Sequence, residues 1–210
     1  MRVVIAGGHG KIALLLERLL AERGDQAVGL IRNPAHIADV RKAGAEAVVC
    51  DLEAASAEDA AVLLSGADAV VFAAGAGPGS GAARKDSVDR GASVLMADAA
   101  ERAGVRRFVQ ISSMGAGQPP RPGTDEVWAA YITAKTAAED DLRARDLDWT
   151  IVRPGSLTDA HATGRIRLAP PPVSRGTVPR GDVAAVIAAL LDNPDTLRQT
   201  LELVGGAAEP

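Results

Sequence analysis

Aromatic residues are scarce in this chain: Phe, Trp and Tyr together make up 2% of its 210 residues. That scarcity argues against a single-stranded nucleic-acid surface built on stacking platforms. It also leaves a core to be assembled from Ala, Val, Leu and Ile. Cysteine is nearly missing. The lone Cys50 excludes a disulfide framework within the chain and fits a reducing cytoplasm. Lying in an apolar run, it reads as a small core residue rather than a nucleophile. Positive charge is not in excess either. The formal net charge is −4 and the arginines are scattered, so no nucleic-acid partner is expected. No apolar run approaches the roughly 18 residues of a membrane span, and the chain opens directly on a strand, so neither a membrane partner nor a signal peptide is expected. His36 and His161 stand alone, without Glu or Cys at ligand spacing, and no metal site is expected.

What the chain does have is a regular alternation. At 47% hydrophobic and 24% charged it has the composition of an ordinary globular protein, long enough for one α/β domain with a sizeable core. A short apolar run, Arg2 to Ala6, leads into Gly7-Gly8-His9-Gly10, and a helical pattern from Ile12 to Leu20 leaves it. Further strands are expected at Gln26–Ile31, Glu46–Cys50, Ala69–Ala74, Arg106–Ile111, Trp149–Arg153 and Thr200–Val204. Helices are expected between them at Ala35–Ala43, Ser56–Leu64 (opened by a Ser56/Asp59 capping pair), Ser87–Ala103, Asp125–Arg145 behind Thr124, and Asp182–Leu191 behind an Asp182 cap. The strands read as near-continuous apolar runs, the mark of parallel strands covered on both faces. The expected architecture is therefore a single domain over residues 1–210 with a doubly wound, mainly parallel sheet. The 75–86 turn, rich in glycine, the 114–124 loop, rich in proline, and the stretch 156–180, where periodicity dissolves, can meet at the carboxyl ends of the strands. There they are candidate walls of a substrate pocket, with 156–180 as an insertion beyond the core.

Strand, glycine turn and helix in that order form the phosphate-holding corner of a dinucleotide-binding fold. Gly7 can take the tight turn, Gly10 lets a pyrophosphate approach the backbone, and the small Ala13 lets the helix pack closely. The spacing, G-x-x-G-x-x-A, is a variant of the G-x-G-x-x-G fingerprint. His9 could touch a phosphate or lie on the surface; Lys11 could add charge near the phosphates or point to solvent. At the end of the second strand, where an acid usually holds the ribose hydroxyls of the unphosphorylated cofactor, stands Arg32. A guanidinium there can pair with a 2′-phosphate, so NADP(H) is expected in preference to NAD(H). Asp51, ending the third strand, is placed to touch an adenine edge.

Tyr131 and Lys135 lie four apart, on one helix face. An ammonium there stabilises the phenolate, fitting the tyrosine for general acid–base work. With four lysines in 210 positions, chance supplies one at that spacing about 2% of the time. Ser112 or Ser113, ending the preceding strand, can hold a substrate oxygen.

Together, the glycine turn through Ala13, the Ser112-Ser113 strand end, Tyr131 with Lys135, and Trp149-Thr150-Ile151-Val152-Arg153-Pro154-Gly155 resemble the short-chain dehydrogenase/reductase superfamily. The resemblance is to its atypical branch, the NAD(P)H-binding proteins similar to biliverdin-IXβ/flavin reductases and NmrA-like regulators, often described as NAD-dependent epimerases or dehydratases. It implies a Rossmann fold in which Gly7, Gly10, Lys11 and Ile12 line the phosphates, Arg32 meets the 2′-phosphate, and Asp51 and Leu52 flank the adenine. It implies that Ala73, Ala74 and Gly75 pass beneath the ribose. It also implies that Ser112, Ser113, Tyr131 and Lys135 sit at the nicotinamide, with Pro154 and Gly155 beside it. The superfamily's better-known enzymes carry an asparagine in the helix before the serine strand; this chain offers Asp89-Arg90-Gly91 instead. Neither the larger carboxy-terminal domain of sugar-nucleotide epimerases nor a bulky nucleotide-sugar substrate is expected. The expectation is a cytoplasmic oxidoreductase, monomeric or homodimeric, moving hydride to or from a small carbonyl, alcohol or flavin-like substrate. In it Tyr131 is the proton donor, Lys135 tunes it and fixes the cofactor ribose, and Ser113 orients the substrate. The rival readings are a non-catalytic NADP(H) sensor and an epimerase or dehydratase that retains its cofactor.

Overall fold

The computed structural model describes residues 1–77, 79–120 and 123–206; Pro78 in the first expected turn, Arg121 and Pro122 in the second, and 207–210 lie outside the described residues. Strands β1 (Arg2–Ala6), β2 (Gln26–Ile31), β3 (Glu46–Val49), β4 (Ala69–Phe72), β5 (Arg107–Ile111), β6 (Asp148–Pro154), β8 (Ile166–Ala169) and β10 (Gln199–Gly205) form one sheet in the order β3-β2-β1-β4-β5-β6-β10-β8. Its pairings are parallel except that of β8 with β10. Strands β7 (Ser156–Thr158) and β9 (Thr177–Pro179) make a separate parallel pair. Helices α1 (Lys11–Glu22), α2 (Ile37–Lys42), α3 (Ala57–Leu63), α4 (Ala82–Arg84), α5 (Ser93–Ala103), α6 (Glu126–Arg143) and α7 (Arg180–Leu191) flank the sheet, and a π-helical segment, Lys85–Ala92, joins α4 to α5. This is the expected single-domain Rossmann architecture.

The two-residue period of the strands sorts their side chains between two cores. Val3, Ile5, Val71, Val109 and Leu203 pack under α1 and α7, while Val4, Ala6, Phe72, Phe108 and Ile151 pack under α3 and α5. Both phenylalanines are fully buried in the second core. From β1 the chain winds outward to β3 and then returns to place β4 on the other side of β1. The reversal point lies between β1 and β4, where an open α/β sheet leaves its crevice.

Three expectations need correction. The stretch 156–180 is not without pattern: it supplies β7, β9 and the edge strand β8. These segments are three or four residues long, too short to show a period. Asp182 does not cap α7, which begins at Arg180; its buried carboxylate instead accepts from the Thr163 and Gly164 N–H groups and the Thr163 hydroxyl, pinning the 163–164 turn to the helix. Asp125, rather than Thr124, caps α6, accepting from the Trp128 N–H at 3.0 Å. The Ser56/Asp59 capping box forms as expected.

One buried group stands out. Glu17 of α1 is fully buried beneath the glycine turn, and neither carboxyl oxygen has a hydrogen-bond partner among the described residues. It fits because two neighbours lack side chains: a Cβ at Gly8 would lie 3.0 Å from its Oε1, and one at Gly29 only 2.5 Å. Burial pushes its pKa up to about 8, so the carboxyl is neutral at pH 7. The unfolded chain gives up this proton near the ordinary glutamate value, so between about 4.3 and about 8 the folded chain binds more protons. Stability therefore falls as pH rises through that window, by an amount on the order of a few kcal/mol. Glu17→Gln should abolish that fall: thermal unfolding across pH 5 to pH 9 (a range of about four units bracketing the window) should show the variant losing less stability than the wild type at the alkaline end.

Candidate cofactor and active site

The glycine turn is shaped by a close approach. Gly7 has φ +81°, and a Cβ there would stand 2.6 Å from the Cα of Ala74, just after β4. Glycine is thus required both by the turn and by the packing of the β1 and β4 ends at the reversal point. Gly10 is the N-cap of α1 and no side chain caps the helix, so the first N–H groups stay open. Beside them lies a cavity of about 370 Å³. Of the expected residues, Gly7, His9, Gly10, Arg32, Asp51, Leu52, Ala73, Ala74 and Gly75 line it. Ile12, although on the same helix turn, does not, and Lys11 reaches elsewhere: its Nζ lies 2.6 Å from the carboxylate of Asp159, which also pairs with Arg180 at 2.6 Å. These contacts hold the Asp159 carboxyl below the usual range, Lys11's hydrogen bond foremost.

At the β2 end of the cavity the charges are arranged in pairs. The Arg32 Nη1 and the Arg84 Nη2 both donate to the same oxygen of Glu53, at 3.0 and 2.9 Å, and the Ser87 hydroxyl donates to its other oxygen at 2.7 Å. Arg84, then Ser87, hold the Glu53 carboxyl below its ordinary value. Asp51 accepts from the Glu53 N–H at 3.1 Å. His9 stacks on His36 with ring centroids 3.5 Å apart, its Nε2 lying 2.9 Å from Asp39. Cys50 lines the cavity wall rather than sitting in the core, and burial pushes its thiol up, away from the thiolate form.

The second group of expected residues gathers around Tyr131. Lys135, one helical turn away on α6, is buried, with its Nζ 5.8 Å from the Tyr131 ring centre and 5.9 Å from that of Phe72. It donates to the Ile111 carbonyl and lies 3.2 Å from Asp89 of the π segment. Asp89 is fully buried, and its other oxygen accepts from the Ala76 N–H at 3.2 Å, tying the pair to the chain that leaves the cavity floor. Lys85, also buried, lies 5.3 Å from the Tyr131 ring centre and donates to the Gly77 carbonyl. Trp128, half exposed, lies against the tyrosine with ring centres 5.2 Å apart, whereas Trp149 is packed in the core.

The serines differ in role. Ser112 is buried and donates to Glu139 at 2.5 Å. Glu139, fully buried, also accepts from Arg153 at 2.9 and 2.5 Å and from Arg143 at 2.7 Å, so Ser112 belongs to an ionic lock joining β5, α6 and β6. Ser113 keeps its hydroxyl almost uncommitted, with one long contact to the Met114 carbonyl. Pro154 accepts from the Met114 N–H, and Gly155 is packed so that a Cβ would meet the Gly176 carbonyl at 2.3 Å; neither lines the cavity. Sequence reasoning missed Lys85, Arg84, Glu53, His36 and Glu139. For Lys85 and Arg84 the signal was hidden by placing the helix start at Ser87. Asp89 was visible only as a departure from an asparagine.

A turn that leaves N–H groups open, beside a cavity at the sheet's reversal point, is what a dinucleotide needs. A model of the NAD(P)H-binding family matches residues 7–194. The chain belongs to that family. Among curated relatives, the uncharacterized sugar epimerase YhfK of Bacillus subtilis is 33% identical over 207 residues, covering 98% of this chain and 95% of its own. Among solved structures, a Bacillus halodurans protein assigned as an NAD-dependent epimerase/dehydratase is 35% identical, with a TM-score of 0.90 over 99% of this chain and 95% of its own. The anaerobilin reductase ChuY of Escherichia coli O157:H7 is 27% identical, with a TM-score of 0.81 over the whole of both chains. Reductases are thus among the family's neighbours in structure, and this chain is an NAD(P)H-binding protein of the oxidoreductase-like kind. Among the described residues no helix is long and apolar enough to cross a membrane.

The ionic lock carries its own expectation. Glu139→Ala leaves the Arg153 charge buried without its carboxylate, and should cost about 3–5 kcal/mol. Ser112→Ala removes a single hydrogen bond from the same group and should cost about 1–3 kcal/mol. Urea unfolding of the two variants should rank them in that order.

Proposed function

We propose that this protein is an NADP(H)-dependent oxidoreductase of the short-chain dehydrogenase/reductase type, acting on a small carbonyl, alcohol or flavin-like substrate. When bound, the cofactor would supply or take the hydride. The open N–H groups of the α1 start and the lining glycines fit its pyrophosphate, with Asp51 and Leu52 beside the adenine. Arg32 and Arg84 fit a 2′-phosphate. The observation that carries the reading is the Tyr131 cluster at the end of the same sheet: a phenol beside a buried lysine that is held by Asp89 and the Ile111 carbonyl.

In this mechanism Tyr131 gives or takes the proton at the substrate oxygen, and the uncommitted Ser113 hydroxyl orients that oxygen. Lys135 contributes positive charge near the phenol, and Asp89 keeps that ammonium in place. The 156–180 insertion supplies the outer wall of the substrate site, its Asp159 reaching Lys11 at the glycine turn. The protein works in the cytoplasm, as a monomer or homodimer. A retained-cofactor epimerase or dehydratase is the second reading, favoured by the names of YhfK and the Bacillus halodurans protein; it would copurify with cofactor and show no net cofactor consumption.

Titration of NADPH and NADH should show tighter binding of NADPH, and Arg32→Glu should weaken NADPH by about tenfold to a hundredfold while leaving NADH nearly unchanged. Equal wild-type affinities would refute the 2′-phosphate assignment. With a reducible carbonyl substrate, Tyr131→Phe should lower turnover by about 10²–10⁴.

A further inference from the structure

Lys85 is the one cation of the Tyr131 cluster whose charge the cluster leaves unmatched. Lys135 faces Asp89 at 3.2 Å. The neighbours of Lys85 in the chain are committed elsewhere: Arg84 to Glu53, and Asp86 to Arg90 at 2.6 and 2.7 Å. Among the described residues no carboxylate lies within ion-pair distance of the Lys85 Nζ. Its hydrogen bond goes to the neutral Gly77 carbonyl at 2.8 Å, which leaves N–H donors over. Yet the residue is only 8% exposed. An ammonium withdrawn from water to this degree, without an opposite charge, is costly unless something brings that charge to it.

The surroundings indicate what brings it. The Nζ lies 5.3 Å from the centre of the Tyr131 ring, and the half-exposed indole of Trp128 lies 5.2 Å from that ring centre. Tyr131 thus has both a flat apolar surface and a spare ammonium as close neighbours. We propose that Lys85 is the substrate-recognition cation, and that the substrate is an organic carboxylate with a flat, apolar body, its carboxylate on Lys85 and its body against Trp128. This rests on the oxidoreductase reading and names the substrate class for that site. With one donor spent on Gly77, the remaining donors suit the two oxygens of a carboxylate. Arg32 and Arg84, on the cavity wall, both donate to Glu53, so neither supplies the spare charge beside Tyr131.

Calorimetric titration of benzoylformate, its uncharged methyl ester and phenylphosphonate into apo and NADP⁺-loaded protein tests the assignment without needing turnover. Benzoylformate should bind the loaded protein, and the ester should bind about tenfold to a hundredfold more weakly, the span expected for loss of one charge-assisted contact. Lys85→Met should weaken benzoylformate by the same span and leave the ester unmoved, while Lys85→Arg, which keeps the charge and the fold, should retain most of the acid's affinity. Ester binding equal to acid binding in the wild type, acid binding unchanged in Lys85→Met, or no acid binding overturns the proposal. Tighter binding of phenylphosphonate than of benzoylformate overturns the carboxylate assignment. NADPH titrated into the same preparations separates the two readings: if NADPH binds and the acid does not, only the role of Lys85 falls; if NADPH fails to bind, the oxidoreductase reading falls on its own.

Discussion

The contact between Asp89 and Lys135 is the joint on which the site depends. Both side chains are buried, so each charge is tolerable mainly because the other is there. Asp89 comes from the π segment and holds the backbone at Ala76; Lys135 comes from α6 and holds the carbonyl at the end of β5. One ion pair therefore fixes the chain leaving β4 and the helix bearing Tyr131 relative to each other. Coulomb attraction in a poorly solvated interior is strong enough to do this, and the desolvation cost makes the alternatives worse. The cavity floor and the phenol are thus set by one interaction, although they belong to distant parts of the chain.

A second buried network works alongside. Glu139 gathers Ser112, Arg143 and Arg153, binding α6 to β5 and β6 about two turns beyond Tyr131. The helix is therefore held at two buried carboxylate sites: Lys135 engages one and Glu139 is the other. Tyr131 sits on the helix these anchors hold, its ring among Trp128, Lys85 and Lys135. Such ionic anchoring fits a chain poor in aromatic residues, whose aliphatic core supplies volume but little directional constraint.

Most of the fold was legible because it is written in local patterns. Apolar runs separated by glycine punctuation gave β1, β2, β4 and β5 to within a couple of residues, and Ser56 with Asp59 marked α3 before any packing was known. What was not legible depends on contacts between distant segments. β8 exists because β10 offers it an edge, not because Ile166–Ala169 has a strong pattern. Gly7 was expected for its turn, yet its contact with Ala74 follows only from the order of β1 and β4. In the site, the glycines, Tyr131 and Lys135 announced themselves by spacing. Lys85 and Arg84 did not, since a charged pair after a glycine-rich turn looks like solvent-exposed loop. Ser112 and Ser113 were adjacent and indistinguishable in sequence; burial against Glu139 separates them.

The π segment has a consequence at the level of inheritance. In an α-helix each residue turns the chain by about 100°, whereas Lys85–Ala92 follows a wider winding that takes up more chain per turn. Lys85 and Asp89, four apart, would be neighbours on either winding; what the wider turn adds is length. Dropping a single codon there would draw Arg84 and the chain leaving β4 one residue closer to α5 without altering Arg84, Lys85 or Asp89. The reading frame and the charges would survive, but the Arg84–Glu53 contact and the Asp89–Lys135 pair would have to be made from backbone positions displaced relative to each other. Point substitution can adjust this site one contact at a time; a one-residue change in length shifts its contacts together.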